Sequence, residues 1–220
     1  LEAAVAIAGD GVGGAHGGAH DGINGVGLVK VMGRESGYIA AYTALAQNDV
    51  NFVLIPEIPF DLEGDLGLFR QLEKRLNERN HAVIIVAEGA GQELLEASSE
   101  KDASGNRKLQ DIGHFLERRI PRYFKDKGMD VSLKYIDPSY MIRSAPAEPN
   151  DSVYCARLGT HAVHAAMSGR TKTLISLVNN HFVNLPIEMA VSRRNYIDPE
   201  GPLWRDVLDV TWQPVIMKNT

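Results

Sequence analysis

A single cysteine, Cys155, stands in this chain of 220 residues, so no internal disulfide can form and the usage fits a reducing compartment. A cationic surplus is missing too. Twenty-three Lys and Arg against 28 Asp and Glu leave a formal charge of -5, which gives no general attraction to nucleic acid or acidic membranes. A local cationic pocket remains compatible with that balance. No stretch approaches the roughly 18–20 apolar residues of a membrane span, and the start lacks a basic segment leading into an apolar one. Neither a cysteine cluster nor an HExxH pattern accompanies the histidines. His161 and His164, three apart, and His16 and His20, four apart, therefore read as ordinary surface or half-buried side chains and not as metal ligands. The expectation is a soluble, cytoplasmic protein with no nucleic-acid or membrane partner and no metal site of its own.

At 24.1 kDa the chain can bury a sizeable core, as one large α/β domain or two small ones. Nine of its 21 glycines fall within residues 9–27, a stretch that reads as a loop or mobile arm. Beyond it, apolar runs of strand length alternate with helical patterns. Strands are expected at 25–32, 51–55, 81–87, 131–136 and 173–178. Helices are expected at 34–49, at 66–79 with Leu66, Phe69, Leu72 and Leu76 on one face, at 108–127, and from Asn150 or Asp151 to Gly169. The continuous run HAVIIVA suits a strand covered on both faces. This alternation predicts an α/β fold with an open, mostly parallel sheet and helices on both faces. The polar stretch 97–108 is the expected flexible excursion. Cys155 reads as a small packed side chain on the helix after Asn150, and Asp206 and Asp209 as part of a solvated helix face.

Ligands of open parallel sheets sit beyond the carboxyl ends of the strands. The residues that close the expected strands are Met32, Gly33 and Arg34; Pro56 and Glu57; Glu88, Gly89 and Gly91; Asp137, Tyr140 and Arg143; and Asn179 and Asn180. Arginines, carboxylates and a lysine at such positions suit a phosphorylated, hydroxyl-rich small molecule, since a guanidinium grips phosphate oxygens in a fork and carboxylates accept sugar hydroxyl protons. Glu57, beside two prolines in PEIPF, reads as structural.

Four strings in order, VKVMGRESGYIAAYTALA, LIPEIPFDLEG, HAVIIVAEGAGQEL and LKYIDPSYMIRS, together with the closing WQP, resemble the carboxy-terminal part of ATP-dependent 6-phosphofructokinases. The branch they resemble is that of plants, trypanosomatids and related bacteria, and the likeness runs from Gly25 to the end. The resemblance implies a Rossmann-like fold of which this chain carries a part: residues 25–220 as the substrate-binding region, and residues 1–24 as a glycine-rich arm or a remnant of the nucleotide-side lobe. It implies fructose 6-phosphate as partner, and ATP and Mg²⁺ as cofactors of the complete enzyme. By the same resemblance Met32, Gly33 and Arg34 would hold the sugar phosphate, and Arg34 would also approach the transferred phosphoryl group as the catalytic cation. Glu88 would accept a sugar hydroxyl, Tyr140 and Arg143 would meet the sugar and its 6-phosphate, and Lys134 would serve a neighbouring subunit's substrate.

The resemblance also shows what this sequence does not contain. The family's TIDND motif, whose aspartate takes the proton from the sugar 1-hydroxyl, is nowhere in these residues. The start, AIAGDGVGGAH, has two readings. Gly9, Asp10 and Gly11 could form a degenerate phosphate loop whose amides cradle the nucleotide, or LEAAVAIAG could be the tail of a helix followed by a glycine-rich linker. The activity implied is that of a sugar-phosphate-binding part, inactive alone for want of the base. The competing reading is a catalytically dead, truncated paralogue acting as a binding or regulatory subunit. Either form is expected to be a homo-oligomer or to pair with an intact kinase chain.

Overall fold

The computed structural model describes residues 1–95 and 108–219. Along the chain run α1 (Glu2–His20), β1 (Gly25–Val31), α2 (Tyr38–Ala46), β2 (Phe52–Leu54), α3 (Leu68–Arg79), β3 (His81–Ala87), α4 (Ile112–Asp126) and β4 (Leu133–Ile136). These are followed by α5 (Ser139–Ser144), α6 (Pro149–Met167), β5 (Thr173–Val178), β6 (His181–Pro186), α7 (Ile187–Val191) and α8 (Pro202–Thr211). They divide into two compact units, Ala4–Ser144 with Tyr196–Thr220, and Leu1–Ala3 with Ala145–Asn195.

The larger unit is a parallel four-stranded sheet in the order β2-β3-β1-β4. Alternation along β1 sends Val26 and Leu28 into a core shared with α3 and α4, where Phe69, Leu72, Leu116 and Phe124 lie. Val29 and Val31 enter the opposite core, shared with α1, α2 and α8. With both faces covered, Ala82 to Ala87 are all buried, which is why the strand is apolar at every position after His81. Helix α3 buries Phe69, Leu72 and Leu76 as the periodicity requires, whereas Leu66 lies before the helix and is exposed. Asp206 and Asp209 are on the exposed face of α8.

Three expectations are corrected. The glycine-rich start is one 19-residue helix, α1, up to His20. Each glycine costs a helix about 1 kcal/mol relative to alanine, and close packing on the sheet offsets that cost. A Cβ on Gly27 would fall 2.8 Å from the Ala15 carbonyl oxygen, one on Gly25 would overlap the Ala19 carbonyl, and one on Gly11 would already touch Val29 and Ile136. Backbone lies on backbone here, which only small residues permit. The run 173–178 is the second correction: it pairs antiparallel with β6 and is no part of the parallel sheet. Asn179 and Asn180, both with positive φ, form the two-residue hairpin turn between them, so they leave the set of sheet-end candidates. Thirdly, Cys155 is exposed and not packed. The expected excursion at 97–108 lies, apart from Lys108, outside the described residues.

The smaller unit is α6, the β5–β6 hairpin and α7. Pro149 opens α6 and Gly169, at φ +75°, follows its end, as helix-terminus chemistry favours. Phe182 of β6 is covered by His161 at 4.5 Å and by the Arg157 guanidinium at 4.6 Å.

Candidate functional site

The carboxyl rim of the sheet gathers the loops that follow β1, β3 and β4. Strands β1 and β3 run in register to their last residues, Val31 opposite Ala87, so the segments Met32-Gly33-Arg34 and Glu88-Gly89 leave the sheet side by side. Their backbones continue the ladder for two more bonds: Glu88 N donates to the Val31 carbonyl at 2.9 Å, and Gly89 N donates to that of Gly33 at 3.0 Å. Gly33 has φ +149°, and a side chain there would press on the Ser36 carbonyl at 2.6 Å. A Cβ on Gly89 would overlap the Arg34 carbonyl. Both glycines are therefore required by close approach. The Glu88 carboxylate is half-buried and accepts a long contact, 3.5 Å, from Gly33 N.

Glu57, after β2, has the structural role expected of it. Both its carboxylate oxygens accept from Gly37 N, at 3.0 and 3.1 Å, and one also accepts from Ile197 N at 3.0 Å. It thereby anchors the start of α2, which begins at Tyr38 because the MGRESG segment first runs as a loop.

Beyond β4, neighbour to β1, the chain turns at Asp137 into the short helix α5. The Asp137 carboxylate accepts from Ser139 N at 3.0 Å. Ile142 is buried and fixes α5 to the core, while Tyr140 is 82% exposed and Arg143 is exposed as well. Arg34, Glu88, Tyr140 and Arg143 thus all follow the carboxyl ends of three adjacent parallel strands. Lys134 does not join them. It stands within β4 opposite Gly27, four residues before the end of β1, exposed and with its stem against Gly18 of α1. Gly9, Asp10 and Gly11 lie inside α1, where backbone amides are committed to helical hydrogen bonds, so no phosphate loop exists at those positions.

One cation at the rim was not anticipated from the strand-end rule. Lys30, within β1, places its ammonium 2.8 Å from Asp137 Oδ2 and 3.0 Å from Asp111 Oδ2, with its side chain 13% exposed. Burial works against this charge, but the hydrogen bonds to Asp137 and Asp111 outweigh it and raise the pKa above the ordinary lysine value. Tyr135, pushed up to about 12 chiefly by burial, stays a neutral phenol beside it. Asp111 also caps α4, accepting from His114 N at 3.1 Å. The sequence did hold a signal: Lys30 is the sole charge in the otherwise apolar run GVGLVKVM. Among the described residues no three His, Cys, Asp or Glu side chains converge to hold a metal ion.

Comparison with known proteins gives this geometry a family. The phosphofructokinase family model matches residues 4–166. ATP-dependent 6-phosphofructokinase of Borreliella burgdorferi is 56% identical over 226 residues, covering 100% of this chain and 51% of that protein. The enzyme of the same description from Amycolatopsis methanolica is 50% identical, covering 87% and 43%, and that of Trypanosoma brucei brucei 45%, covering 85% and 38%. The chain thus spans about half the length, or less, of these relatives. Among solved structures, pyrophosphate-dependent phosphofructokinase from Marinobacter aquaeolei superposes with a TM-score of 0.67 at 18% identity, over 99% of this chain and 55% of that one, which is a likeness of fold. No helix among the described residues is long and apolar enough to cross a membrane. A parallel sheet whose rim carries the MGR, EGAG and YMIR segments, matched by the family model over most of its length, makes this chain a member of the phosphofructokinase family.

Proposed function

We propose that this chain supplies the fructose 6-phosphate pocket of an ATP-dependent 6-phosphofructokinase, whose reaction moves the γ-phosphoryl group of ATP to the sugar 1-hydroxyl. The observation that carries the reading is the delivery of Arg34, Glu88, Tyr140 and Arg143 to one rim by three adjacent strands. Arg143, exposed on α5, would take the 6-phosphate through its planar fork. Tyr140 would lay its phenol on the sugar. Glu88, oriented by Gly33 N, would accept a ring hydroxyl. Arg34 would face the transferred group, where a fixed cation offsets the charge spreading over its oxygens.

ATP and Mg²⁺ belong to the complete reaction, in which Mg²⁺ neutralises the phosphate chain. The described residues do not fit either: residues 9–11 are helical, and no cluster of metal-ligating side chains exists among the described residues. Nucleotide and base are accordingly assigned outside them, and the isolated chain is expected to bind sugar phosphate without turnover. The absence of TIDND equally favours a binding or regulatory subunit that joins an intact kinase chain, and the pocket would be the same.

Calorimetric titration with fructose 6-phosphate tests the assignment. Binding is expected, and Arg143→Ala should weaken it by about 2–3 kcal/mol, as for loss of a charged hydrogen-bond partner. No heat of binding from the wild type, or an unchanged affinity in the variant, would remove the site. A coupled kinase assay on the chain mixed with an intact phosphofructokinase separates the subunit reading, which requires a change in the kinase's activity.

A further inference from the structure

We propose that Lys30 is the positioning residue of this pocket, a doubly paired cation that holds the β4–α5 turn, and with it Tyr140 and Arg143, against the β1 and β3 loops; this inference rests on the sugar-phosphate reading above. The helix that carries Tyr140 and Arg143 has six residues and both side chains stand in solvent. Such a helix cannot fix its own orientation. Two anchors do so. One is Ile142, buried in the core. The other is Asp137, three residues before Tyr140, whose carboxylate is held by Lys30 on one oxygen and by Ser139 N on the other.

The same ammonium reaches the remaining side of the rim. Asp111, its second partner, caps α4 and directly follows Gln110. The Gln110 backbone exchanges two hydrogen bonds with the Gln92 side chain, at 3.0 and 3.1 Å, and Gln92 Nε2 also donates to the Glu88 carbonyl at 2.9 Å. Polar contacts, linked by the peptide bond between Gln110 and Asp111, therefore run from the Glu88 carbonyl through Gln92, Gln110, Asp111 and Lys30 to Asp137. Their ends lie at a sugar-hydroxyl acceptor and at the base of the phosphate-gripping helix. Lys30 is the member that joins the two halves, and it lies two residues before Met32-Gly33-Arg34. Its ammonium is engaged by two carboxylates and nearly buried, so it acts through its neighbours and not on the ligand.

The test uses the whole chain with Lys30→Met, Asp137→Asn and the double variant, read by fructose 6-phosphate calorimetry and by hydrogen exchange of the unliganded protein. Lys30→Met should weaken binding about ten-fold or more, the scale on which small displacements of positioning groups act. Exchange should speed up at 138–144 while the amides of β1 and β3 keep their protection. Asp137→Asn should do the same from the more accessible side, and the double variant should lose no more than the worse single one, since both remove the contact between Lys30 and Asp137. Unchanged exchange at 138–144 in both single variants, or losses of affinity that simply add, would overturn the proposal. If the wild type bound no sugar phosphate, the pocket reading would fail on its own, and exchange at 138–144 would still decide whether Lys30 holds the turn.

Discussion

The amide of Gly89 donates to the carbonyl of Gly33 at 3.0 Å, so the two loops that leave β1 and β3 are joined by main chain before any side chain is considered. A methyl group on Gly89 would overlap the Arg34 carbonyl, and neither backbone has a flexible group to move aside. Gly89→Ala should therefore force the loops apart, destabilising the fold by about 1–3 kcal/mol as overpacking does and reducing fructose 6-phosphate affinity further than stability alone explains. Urea unfolding and calorimetry on the same preparation check this. A variant with wild-type midpoint and affinity would mean that the loops part without cost.

Glu57 makes an opposite kind of prediction, in which a carboxylate near the carboxyl rim of the sheet matters for folding alone. Its oxygens satisfy the amides of Gly37 and Ile197, two buried residues. Glu57→Ala should cost about 1–3 kcal/mol, the desolvation penalty of amides left unpaired, whereas Glu57→Gln, which keeps one acceptor, should cost less. Equilibrium denaturation midpoints measure both. A loss below about 0.5 kcal/mol for the alanine variant would place it with ordinary surface substitutions.

Much of the sheet could be read from the sequence because burial on both faces leaves an unambiguous mark: after His81 at its edge, HAVIIVA has six apolar residues in succession, and β3 occupies that run and no other residues. Helix α1 could not, because what seats it is close contact with β1 and not the composition of its own segment. Gly25 and Gly27 of β1 and Ala15 and Ala19 of α1 are small so that two backbones can touch, and local propensity contains no term for that contact. The outer partner of β2 was hidden for a similar reason. Gln213, in the closing WQP, accepts from Val53 N at 2.6 Å and donates to its carbonyl at 3.4 Å, supplying along the edge strand the partner that a fifth strand would. Lys30 was visible as a lone charge in an apolar strand, but its role depends on Asp111 and Asp137, 81 and 107 positions further on, which no local pattern connects.

The packing account of α1 separates glycines that are needed from glycines that are not. Around Gly13 and Gly17 nothing lies within 4 Å of an added Cβ, and both are exposed. Gly13→Ala and Gly17→Ala should each stabilise the protein by about 0.4–1 kcal/mol, by limiting the unfolded chain and favouring the helix. Gly27→Ala, which meets the Ala15 carbonyl at 2.8 Å, should destabilise it. Thermal midpoints moving in these opposite directions would support α1 as a helix seated on β1. A loss of stability at Gly13 would argue that the segment is not helical in solution.

Acid should loosen the opposite end of the sheet. The rings of His16, His20 and His81 lie 5.3–6.1 Å apart by centroid, where the C-terminal turn of α1 meets the first residue of β3. Burial lowers the pKa of His81, and Arg75, His16 and His20 add to that shift against the hydrogen bond to the Arg79 carbonyl. The Asp49 carboxylate lies 3.8 Å from His16 Nε2. A histidine that resists protonation when folded leaves the unfolded chain to bind the proton first, so the folded state is favoured above the unfolded value of about 6.5 and loses that advantage as pH falls through the lowered folded value. The carboxylates of Asp111, Asp137 and Glu73 are held below their ordinary range by their hydrogen-bond partners, despite some burial, and keep their contribution until well below pH 5. Denaturation midpoints between pH 7.5 and 5.5 should therefore decline, and His81→Gln, which leaves a neutral polar side chain at that position, should flatten the decline. An equal slope in the variant would assign the acid sensitivity to other groups.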